Sequence, residues 1–440
     1  MRAQGRRPGR ERPESSARAA FGYRAFRTVF VGSFVANVGT WMRHVVLMAF
    51  AYELTESAGF VGQITFVYLA PVLVLGLPGG LLVDRLDRRK LLVGLAVTQM
   101  LLSFALARVV VGENVTPGLL LVVTAGFGVC NALYMPAYMA LLPGMVERRH
   151  LAGAISLMSA QQNATRVIGP VAAGACLVAL EPWHIFVIAG LAMIFVIVTL
   201  VRVPIASVER ARSEPLKEAL LAGFATGRHN RVVGRALVTI TVFSFACLYF
   251  VNQLPVIAEE NLGLEATSPA YGVFYACFGL GAVLGALSNG TIFSRVSQAA
   301  VVRRGLVAFA FLLAAFALVR GPIGGSILVI GVGASYLAAT TALTSSFQVE
   351  LEDHERGRLS TLWTMAFAGT VGASSLMLGP IADAVGSMAV LLAGAAIALP
   401  LAWYADLRPG RRAADVRVAD PIGPCPAEPV TLQPNATGTT

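Results

Sequence analysis

The sequence predicts an all-α membrane protein with twelve transmembrane helices, and its composition and patterning carry this prediction. Hydrophobic residues make up 56% of the 440 residues and charged residues only 13%, about half the charged share of a soluble globular protein. The mean hydropathy is +0.71, and no packed core could hide so much apolar surface from water. An ordinary soluble enzyme and a largely disordered chain are therefore both excluded.

Long apolar runs recur along the chain, and each of them has about 19–27 residues, enough to cross roughly 30 Å of hydrocarbon as a helix. We predict helices over 28–51, 60–83, 90–111, 118–142, 152–178, 183–201, 235–257, 269–292, 301–320, 324–347, 359–383 and 386–405. Pro136 and Pro255 fall inside two of these runs. Membrane helices tolerate proline where neighbouring helices satisfy the freed backbone groups.

The basic residues predict the orientation of these helices. If the N-terminus is cytoplasmic, the tails and the cytoplasmic connections hold 30 of the 34 lysines and arginines, and the outer connections hold Arg108 and Arg320. Because lysine and arginine concentrate on the cytoplasmic side, we expect a multi-pass protein of the bacterial cytoplasmic membrane with both termini inside. The net charge of +10 therefore reports topology and gives no reason to expect a nucleic-acid partner.

The longest connection divides the chain into two halves that repeat each other. Residues 80–85 (GLLVDR) and 290–295 (GTIFSR) follow the second and eighth helices at an offset of 210, and residues 147–149 and 355–357 match at 208. An even number of helices separates the copies, so the repeats are parallel, as in one large class of transporters. We predict a basic cytoplasmic tail (1–25), a six-helix bundle (26–201), a cytoplasmic central loop (202–234), a second six-helix bundle (235–405) and a disordered cytoplasmic tail (406–440).

The connection after the second helix carries the strongest local motif. It is short and basic, and its Asp84 is able to cap a helix N-terminus or to pair with an arginine. One interpretation is that these charges only set topology. The other is a gate loop that holds one conformation, formed by Gly80, Asp84, Arg85, Arg88 and Arg89.

This loop resembles the signature of the major facilitator superfamily, although Asp87 stands where the pattern usually has glycine. More narrowly, the chain resembles the branch with siderophore exporters and macrolide-efflux-like permeases, from about residue 22 to residue 405. The further segments that carry this resemblance are 39–41, 52–57, 136–137, 141–143, 166–170 and 356–358. The resemblance implies a monomer with two six-helix bundles around a central cavity that opens alternately to each side. Unlike drug–proton antiporters of the superfamily, this chain has no arginine in its fourth predicted helix.

Charged and polar residues inside the predicted helices are candidates for the cavity, because charges in lipid are costly and usually functional. Arg43 is either a contact for an anionic or oxygen-rich substrate or a structural arginine that caps carbonyls or snorkels outward. Gln162 and Arg166 share a helix face, which either lines the cavity or joins an interhelical hydrogen-bond network. The remaining candidates, each of which packing alone would also explain, are Asn37, Trp41, Asn252, Gln253 and Trp363.

Candidates for proton coupling are few, because no aspartate or glutamate falls near the middle of a predicted helix. A coupling site needs a group that titrates between two states, which leaves His44, Glu53 and Asp383. The sequence has no phosphate-binding Walker loop and no metal-protease or catalytic-triad spacing. We therefore expect neither an enzyme nor a protein with a cofactor or a metal ion.

By resemblance, the sequence predicts a secondary transporter that works by alternating access, coupled to protons. Its expected partners are the lipid bilayer and an amphipathic small molecule, such as a drug, a siderophore or another secondary metabolite, which it exports. Two other functions stay open at this point: a transporter-like sensor or scaffold that has lost transport, and an importer of a small nutrient.

Overall fold

The computed structural model describes residues 16–75, 86–112, 115–203, 230–293, 295–351 and 356–407, and helices make up nearly all of them. In chain order these are α1 (Ser16–Gly22), α2 (Arg24–Thr55), α3 (Ala58–Leu75), α4 (Arg88–Val111), α5 (Pro117–Leu141), α6 (Leu151–Leu177), α7 (Pro182–Arg202), α8 (Arg231–Ala246), α9 (Tyr249–Asn252), α10 (Leu254–Leu262), α11 (Pro269–Gly290), α12 (Gln298–Leu318), α13 (Pro322–Val349), α14 (Arg356–Thr364), α15 (Thr370–Val385) and α16 (Ser387–Tyr404). A π-helical turn, Met365–Gly369, joins α14 to α15.

Local sequence explains where several of these helices begin. Proline occupies the first turn of α5, α7, α11 and α13, where its missing N–H would have no intrahelical partner in any case. The Asn230 side chain caps α8 by accepting from the backbone N–H groups of Val232 and Val233. Ser268 caps α11 in the same manner by accepting from Tyr271, which satisfies one of the free donors at a helix start.

Ten helical segments of the described chain are long and apolar enough to cross a membrane. They are α2, α3, α4, α5, α7, α11, α12, α13, α16 and the segment Leu362–Val385, which contains all of α15. The protein is thus an all-helical, multi-pass membrane protein. Helix α6 and the segment from α8 to α10 are outside this set of ten.

The predicted helix over 235–257 differs from the structure, because the chain there forms three helices, α8, α9 and α10, instead of one. The last break comes at Gln253, two residues before Pro255. Proline cannot donate a backbone hydrogen bond to the preceding turn and crowds it, which ends a helix on its N-terminal side. The interruption frees the side chains of Asn252 and Gln253 for contacts with the first half of the chain.

Helices within each half of the chain pack in corresponding pairs. In the first half α2 packs on α6 and α7, α5 packs on α3 and α4, and α4 also packs on α7. In the second half α8 packs on α15 and α16, α13 packs on α11 and α12, and α12 also packs on α16. The two halves meet mainly where α3 crosses α15 and where α6 crosses α11.

Among the residues that the structure describes, the two halves share an apolar core toward one end of the molecule. We call the end formed by residues 55–58, 262–269 and 385–387 the closed end, and the opposite end, formed by 141–151 and 290–298, the open end. One core cluster joins side chains such as Leu47 and Val61 of the first half to Phe250 and Phe274 of the second half. A second cluster, with Phe26, Leu141 and Val196 among its members, contains first-half residues alone and lies toward the open end.

Part of the predicted N-terminal tail forms the helix α1, and this helix packs on α6 at the open end. The Tyr23 hydroxyl lies 3.0 Å from His150 Nδ1, and Arg149 Nε lies 2.7 Å from Glu147 Oε2. Hydrogen bonds, first from Tyr23 and then from Arg149, lower the pKa of the Glu147 carboxyl below its usual value. The start of the chain is thereby tied to the connection between α5 and α6. The predicted central loop and C-terminal tail fall mostly or wholly outside the described residues.

Candidate functional site

Arg166 lies near the middle of α6 with an exposed side chain, and its position is tied to Trp41 of α2. The Arg166 guanidinium carbon stands 5.3 Å from the centre of the Trp41 ring. The two helices cross closely at this level, since a Cβ on Gly169 would lie 2.3 Å from the Cβ of Trp41. Arg166 is also close enough to Tyr336 of α13, in the second half, for the two to interact electrostatically. The structure therefore brings together Trp41, Arg166 and a residue of the other half.

Other polar candidates of the first half lie near this pair. Gln162 is half-buried and stands one turn before Arg166, and Asn37 is half-buried and stands one turn before Trp41. Neighbouring Asn163 donates to the Ser159 carbonyl of its own helix at 3.0 Å. Among the described residues, no carboxylate is within salt-bridge distance of Arg166. The Arg166 guanidinium thus has the aromatic face of Trp41 beside it and no counter-ion within the described part of the chain.

Arg43 has a different environment, although it is only two residues from Trp41. Its side chain is 2% exposed and points into the first half of the chain. The guanidinium donates to Ser103 Oγ at 3.1 Å and to Gln99 Oε1 at 3.4 Å, and its carbon lies 3.7 Å from the centre of the Phe127 ring. These contacts are structural, but they are made with side chains of the same half and not with backbone carbonyls or the membrane surface.

His44 lies between the two halves. Its Nε2 is 3.4 Å from Oδ1 of Asn252 in α9, and its ring packs against the rings of Trp41 and Tyr68 at centroid distances of 5.6 Å and 5.4 Å. Of the residues predicted for the cavity or for proton coupling, His44, Trp41 and Asn252 are therefore neighbours. They occupy the region where α2 of the first half meets α9 of the second.

Gln253 and Asp383 belong to the closed end. Gln253 is fully buried and donates from Nε2 to the Ala58 carbonyl at 3.0 Å. Asp383 accepts from the backbone N–H groups of Ala58 and Gly59. Glu53 is exposed near the end of α2. The three carboxylate or amide candidates at this end therefore do not share a site with Arg166.

Trp363 is half-buried in α14 and packs on Phe347 of α13, with ring centroids 4.5 Å apart. Other aromatic side chains of the second half form its core. Phe250 packs at ring-centroid distances of 5.8 Å and 6.4 Å on Phe278 and Tyr336. Aromatic packing of this kind explains these residues without a substrate.

The predicted gate loop is only partly described, because Gly80, Asp84 and Arg85 lie outside the described residues. Arg88 donates to the Ala140 carbonyl at 2.9 Å, and Arg89 donates to the carbonyls of Leu200 and Val201. Asp87 accepts from the backbone N–H groups of Arg89 and Lys90 at 3.0 Å each, so it is the N-cap of α4. The two arginines thus bind the ends of α5 and α7, where partial negative charge accumulates.

Sequence reasoning missed the partners of these residues. Gln99 and Ser103 are four residues apart in an otherwise apolar run, and this spacing was a signal for a polar face on α4. Phe127, Tyr68 and Tyr336 gave no such signal, since aromatic residues are common in membrane helices. Only the helix packing identifies which of them meets a cation or an imidazole.

Comparisons with known proteins agree on a transporter family. The family described as transmembrane secretion effector matches residues 15–435. The chain is 24% identical to the staphyloferrin A transporter of Staphylococcus aureus over 367 residues, which cover 81% of this chain and 89% of that protein. It is 25% identical to the enterobactin exporter EntS of Escherichia coli over 398 residues, which cover 86% of this chain and 92% of the exporter.

Solved structures of transporters show the same fold. A bacterial homologue of the human lysosomal transporter Spinster, in an inward-facing and unoccupied conformation, matches with a TM-score of 0.69 at 14% identity, covering 87% of this chain and 97% of that one. The nucleoside transporter NupG matches with a TM-score of 0.66 at 13% identity, covering 87% of this chain and 98% of that one. The helical arrangement is therefore that of a membrane transporter.

Proposed function

Since the chain belongs to the transmembrane secretion effector family of major facilitator transporters, and is not an enzyme, we propose that it exports an anionic amphipathic small molecule by alternating access. The observation that carries the proposal is the exposed Arg166 beside Trp41, which pairs with no carboxylate of the described residues, between two halves whose described residues share a core toward one end. A cleft closed at one end is what alternating access requires. An importer of a small nutrient and a sensor that has lost transport are the alternatives.

The membrane architecture that we propose has twelve spans in two parallel bundles of six. Helix α6 and the interrupted segment α8–α10 supply the two spans beyond the ten apolar helices. The packing pairs support this repeat, because α2–α7, α4–α5 and α4–α7 correspond to α8–α16, α12–α13 and α12–α16 after a shift of six spans. The bundles then correspond to residues 26–201 and 235–405, separated by the cytoplasmic loop 202–234.

The orientation that we propose places both termini and the open end in the cytoplasm. The open end carries Arg148, Arg149 and Arg295, whereas the closed end carries Arg108 and Arg320. This difference follows the positive-inside rule. The structure would then represent an inward-facing state of a monomer in the bacterial cytoplasmic membrane, with its cavity ready to receive a substrate from the cell.

The substrate class follows from the charge of the cavity. Arg166 is exposed and has no carboxylate partner among the described residues, so its guanidinium donors are available to the oxygen atoms of an anionic ligand. Trp41, and at greater distance Gln162 and Asn37, supply an aromatic face and polar groups for an amphipathic molecule. Two relatives are named for transport of siderophores, staphyloferrin A and enterobactin, and we extend this class to the present chain.

A proton is the coupling ion that we propose, and His44 is the best placed of the three candidates. It lies between the halves and touches Asn252 across the boundary, so a movement of the halves would change its surroundings. Glu53 is exposed and Asp383 is bound to backbone donors. Of the candidate gate loop, Arg88 and Arg89 would hold the ends of α5 and α7 in place.

Inverted membrane vesicles from cells that overproduce the protein test this proposal. With an acidic interior, such vesicles should accumulate staphyloferrin A or enterobactin above vesicles without the protein. The substitution Arg166→Gln should lower the initial rate about tenfold, as expected for the loss of a charged hydrogen bond. The control Arg108→Gln removes an exposed arginine at the end of α4 and should leave the rate unchanged.

Equal accumulation with and without the protein, for both compounds, would overturn siderophore export. Uptake only by right-side-out vesicles would favour the importer. Equal rates for Arg166→Gln and Arg108→Gln would remove Arg166 from the substrate site. Accumulation that does not respond to the imposed pH gradient would contradict proton coupling and leave export intact.

A further inference from the structure

Asp383 accepts three hydrogen bonds that join the two halves of the chain. It stands in the last turn of α15, in the second half, and binds the first turn of α3, in the first half. Oδ1 accepts from the Ala58 N–H at 2.7 Å, and Oδ2 accepts from the Gly59 N–H at 2.9 Å and from the Ser57 hydroxyl at 2.8 Å. A helix N-terminus has free N–H donors and partial positive charge. Asp383 therefore acts as the cap of a helix that belongs to the opposite half.

The first turn of α3 is shaped for this contact. Ser57 donates to Asp383 and also accepts from the Phe60 N–H at 3.1 Å, so one hydroxyl serves both halves. A Cβ on Gly59 would lie 2.7 Å from Asp383 Oδ2. Glycine at this position is therefore what allows the carboxylate to reach the backbone.

A second residue of the same half binds the same turn. The buried Gln253 side chain donates to the Ala58 carbonyl at 3.0 Å. Ala58 is thus held through its N–H by Asp383 and through its carbonyl by Gln253. All of these bonds join residues of different halves, so they break together if the halves separate at the closed end.

We propose that Asp383 is a positioning residue of the transport cycle, which latches the closed end by capping α3 as a carboxylate. The bonds exist only while α3 and α15 are in contact, so they stabilise the present state against one that is open at this end. An ionised acceptor makes hydrogen bonds roughly twice as strong as a neutral one. Release of Asp383 is then part of the step that opens this end, whatever the substrate.

Asparagine is a sharp probe of this latch, because it keeps the shape of aspartate and has one acceptor oxygen instead of two. Whichever way the amide of Asp383→Asn points, its NH₂ group must face either Ala58 N–H or the donors at Gly59 and Ser57. Ser57→Ala removes one hydroxyl donor and keeps the carboxylate, so it is a milder variant. Glu181→Gln is the matched control, because Glu181 is an exposed carboxylate at the same end whose partner, Trp183 of α7, belongs to its own half.

Distance measurements between two spin labels test the proposal on the full chain in lipid nanodiscs, with the five cysteines replaced. One label replaces Glu53 of α2 and the other replaces Glu265 of the α10–α11 connection, both exposed at the closed end. We expect Asp383→Asn to raise the ratio of long to short distances at least about tenfold, and Ser57→Ala to raise it less. Glu181→Gln should leave it as in the parent protein.

Unchanged distance distributions in both latch variants would overturn the proposal, as would an equal shift in the control. If Asp383→Asn does not fold, the distance distribution of Ser57→Ala tests the proposal, since this variant retains the carboxylate and both of its hydrogen bonds to the backbone. These outcomes do not depend on a transported compound. A failure to move siderophores would therefore leave the latch standing, and a failed latch would leave export standing.

Discussion

Arg43 and Arg166 show how the surroundings decide the role of an arginine within a helical bundle. The Arg43 guanidinium donates hydrogen bonds to Gln99 and Ser103 and stacks on Phe127, all within the first half. Arg166 lies on an aromatic face and is exposed. A guanidinium whose donors already have partners contributes to packing, whereas one with free donors is available to a ligand.

Substitution of Arg43 should therefore affect stability more than substrate handling. Arg43→Gln removes the donor to Gln99 and the cation over Phe127, and leaves polar groups buried without partners. We expect a loss of about 1–3 kcal/mol, seen as a lower midpoint in thermal unfolding of the purified protein. Arg166→Gln is the comparison, because an exposed side chain should change the midpoint little.

The opposite pattern would contradict this assignment. If Arg43→Gln kept its unfolding midpoint and lost transport, Arg43 would belong to the substrate site. This is the substrate contact that the sequence offers as one interpretation of Arg43. Sequence could not separate these interpretations. Arg43 and His44 are adjacent, yet the first points into its own half and the second reaches Asn252 of the other half.

At the scale of helices, the crossing of α6 and α11 depends on two glycines. A Cβ on Gly174 would lie 2.2 Å from the Gly272 carbonyl oxygen, and a Cβ on Gly272 would lie 2.5 Å from the Gly174 carbonyl oxygen. Both neighbours are backbone atoms, which cannot rotate away. Small residues permit such close helix contacts in membranes, and this contact joins the two halves.

Gly174→Ala should consequently push α6 and α11 apart. We expect a destabilisation of about 1–3 kcal/mol, typical of overpacking, measured as a lower thermal unfolding midpoint. Gly94→Ala is a matched control, since a Cβ at Gly94 of α4 meets nothing within 4 Å and alanine favours a helix over glycine. Equal midpoints for the two variants would mean that the halves adjust to the added methyl group.

The start of α4 gives a second test at this scale. Asp87 departs from the superfamily pattern, yet its carboxylate caps α4 by accepting from Arg89 and Lys90. Asp87→Ala should cost about 1 kcal/mol, and Asp87→Asn should retain most of the cap. The comparison of their thermal unfolding midpoints checks this expectation, and identical midpoints for both variants and the parent would contradict it.

The sequence predicted helices far better than it predicted contacts. The run expected at 118–142 is α5, Pro117–Leu141, and the run expected at 269–292 is α11, Pro269–Gly290. Hydropathy and proline position suffice for such boundaries, because each helix satisfies its own backbone in lipid. The partners of Arg43 and Asp383 lie 56 to 60 and 324 to 326 residues away. No local pattern encodes pairings at such separations.

The molecule as a whole combines one core that joins its halves with another that belongs to the first half alone. Such a construction allows the two halves to move relative to each other while the first half keeps a core of its own. The contacts between the halves at the closed end are the shared apolar cluster, the hydrogen bonds of Asp383 and Gln253, and the crossing of Gly174 and Gly272. Alternating access is therefore compatible with a rigid interior in each half.

Orientation in the membrane is the prediction that belongs to this scale. The basic residues favour the open end as the cytoplasmic one, and Arg18 of α1 adds to the same bias. In a cysteine-replaced protein, a single cysteine at Glu181, in the α6–α7 connection, should react with an impermeant maleimide on intact cells. A single cysteine at Glu147, in the α5–α6 connection, should react only after the cells are opened. Both residues are exposed carboxylates, so each serves as a control for the other. The reverse order of labelling would place the closed end in the cytoplasm and would contradict the proposed orientation.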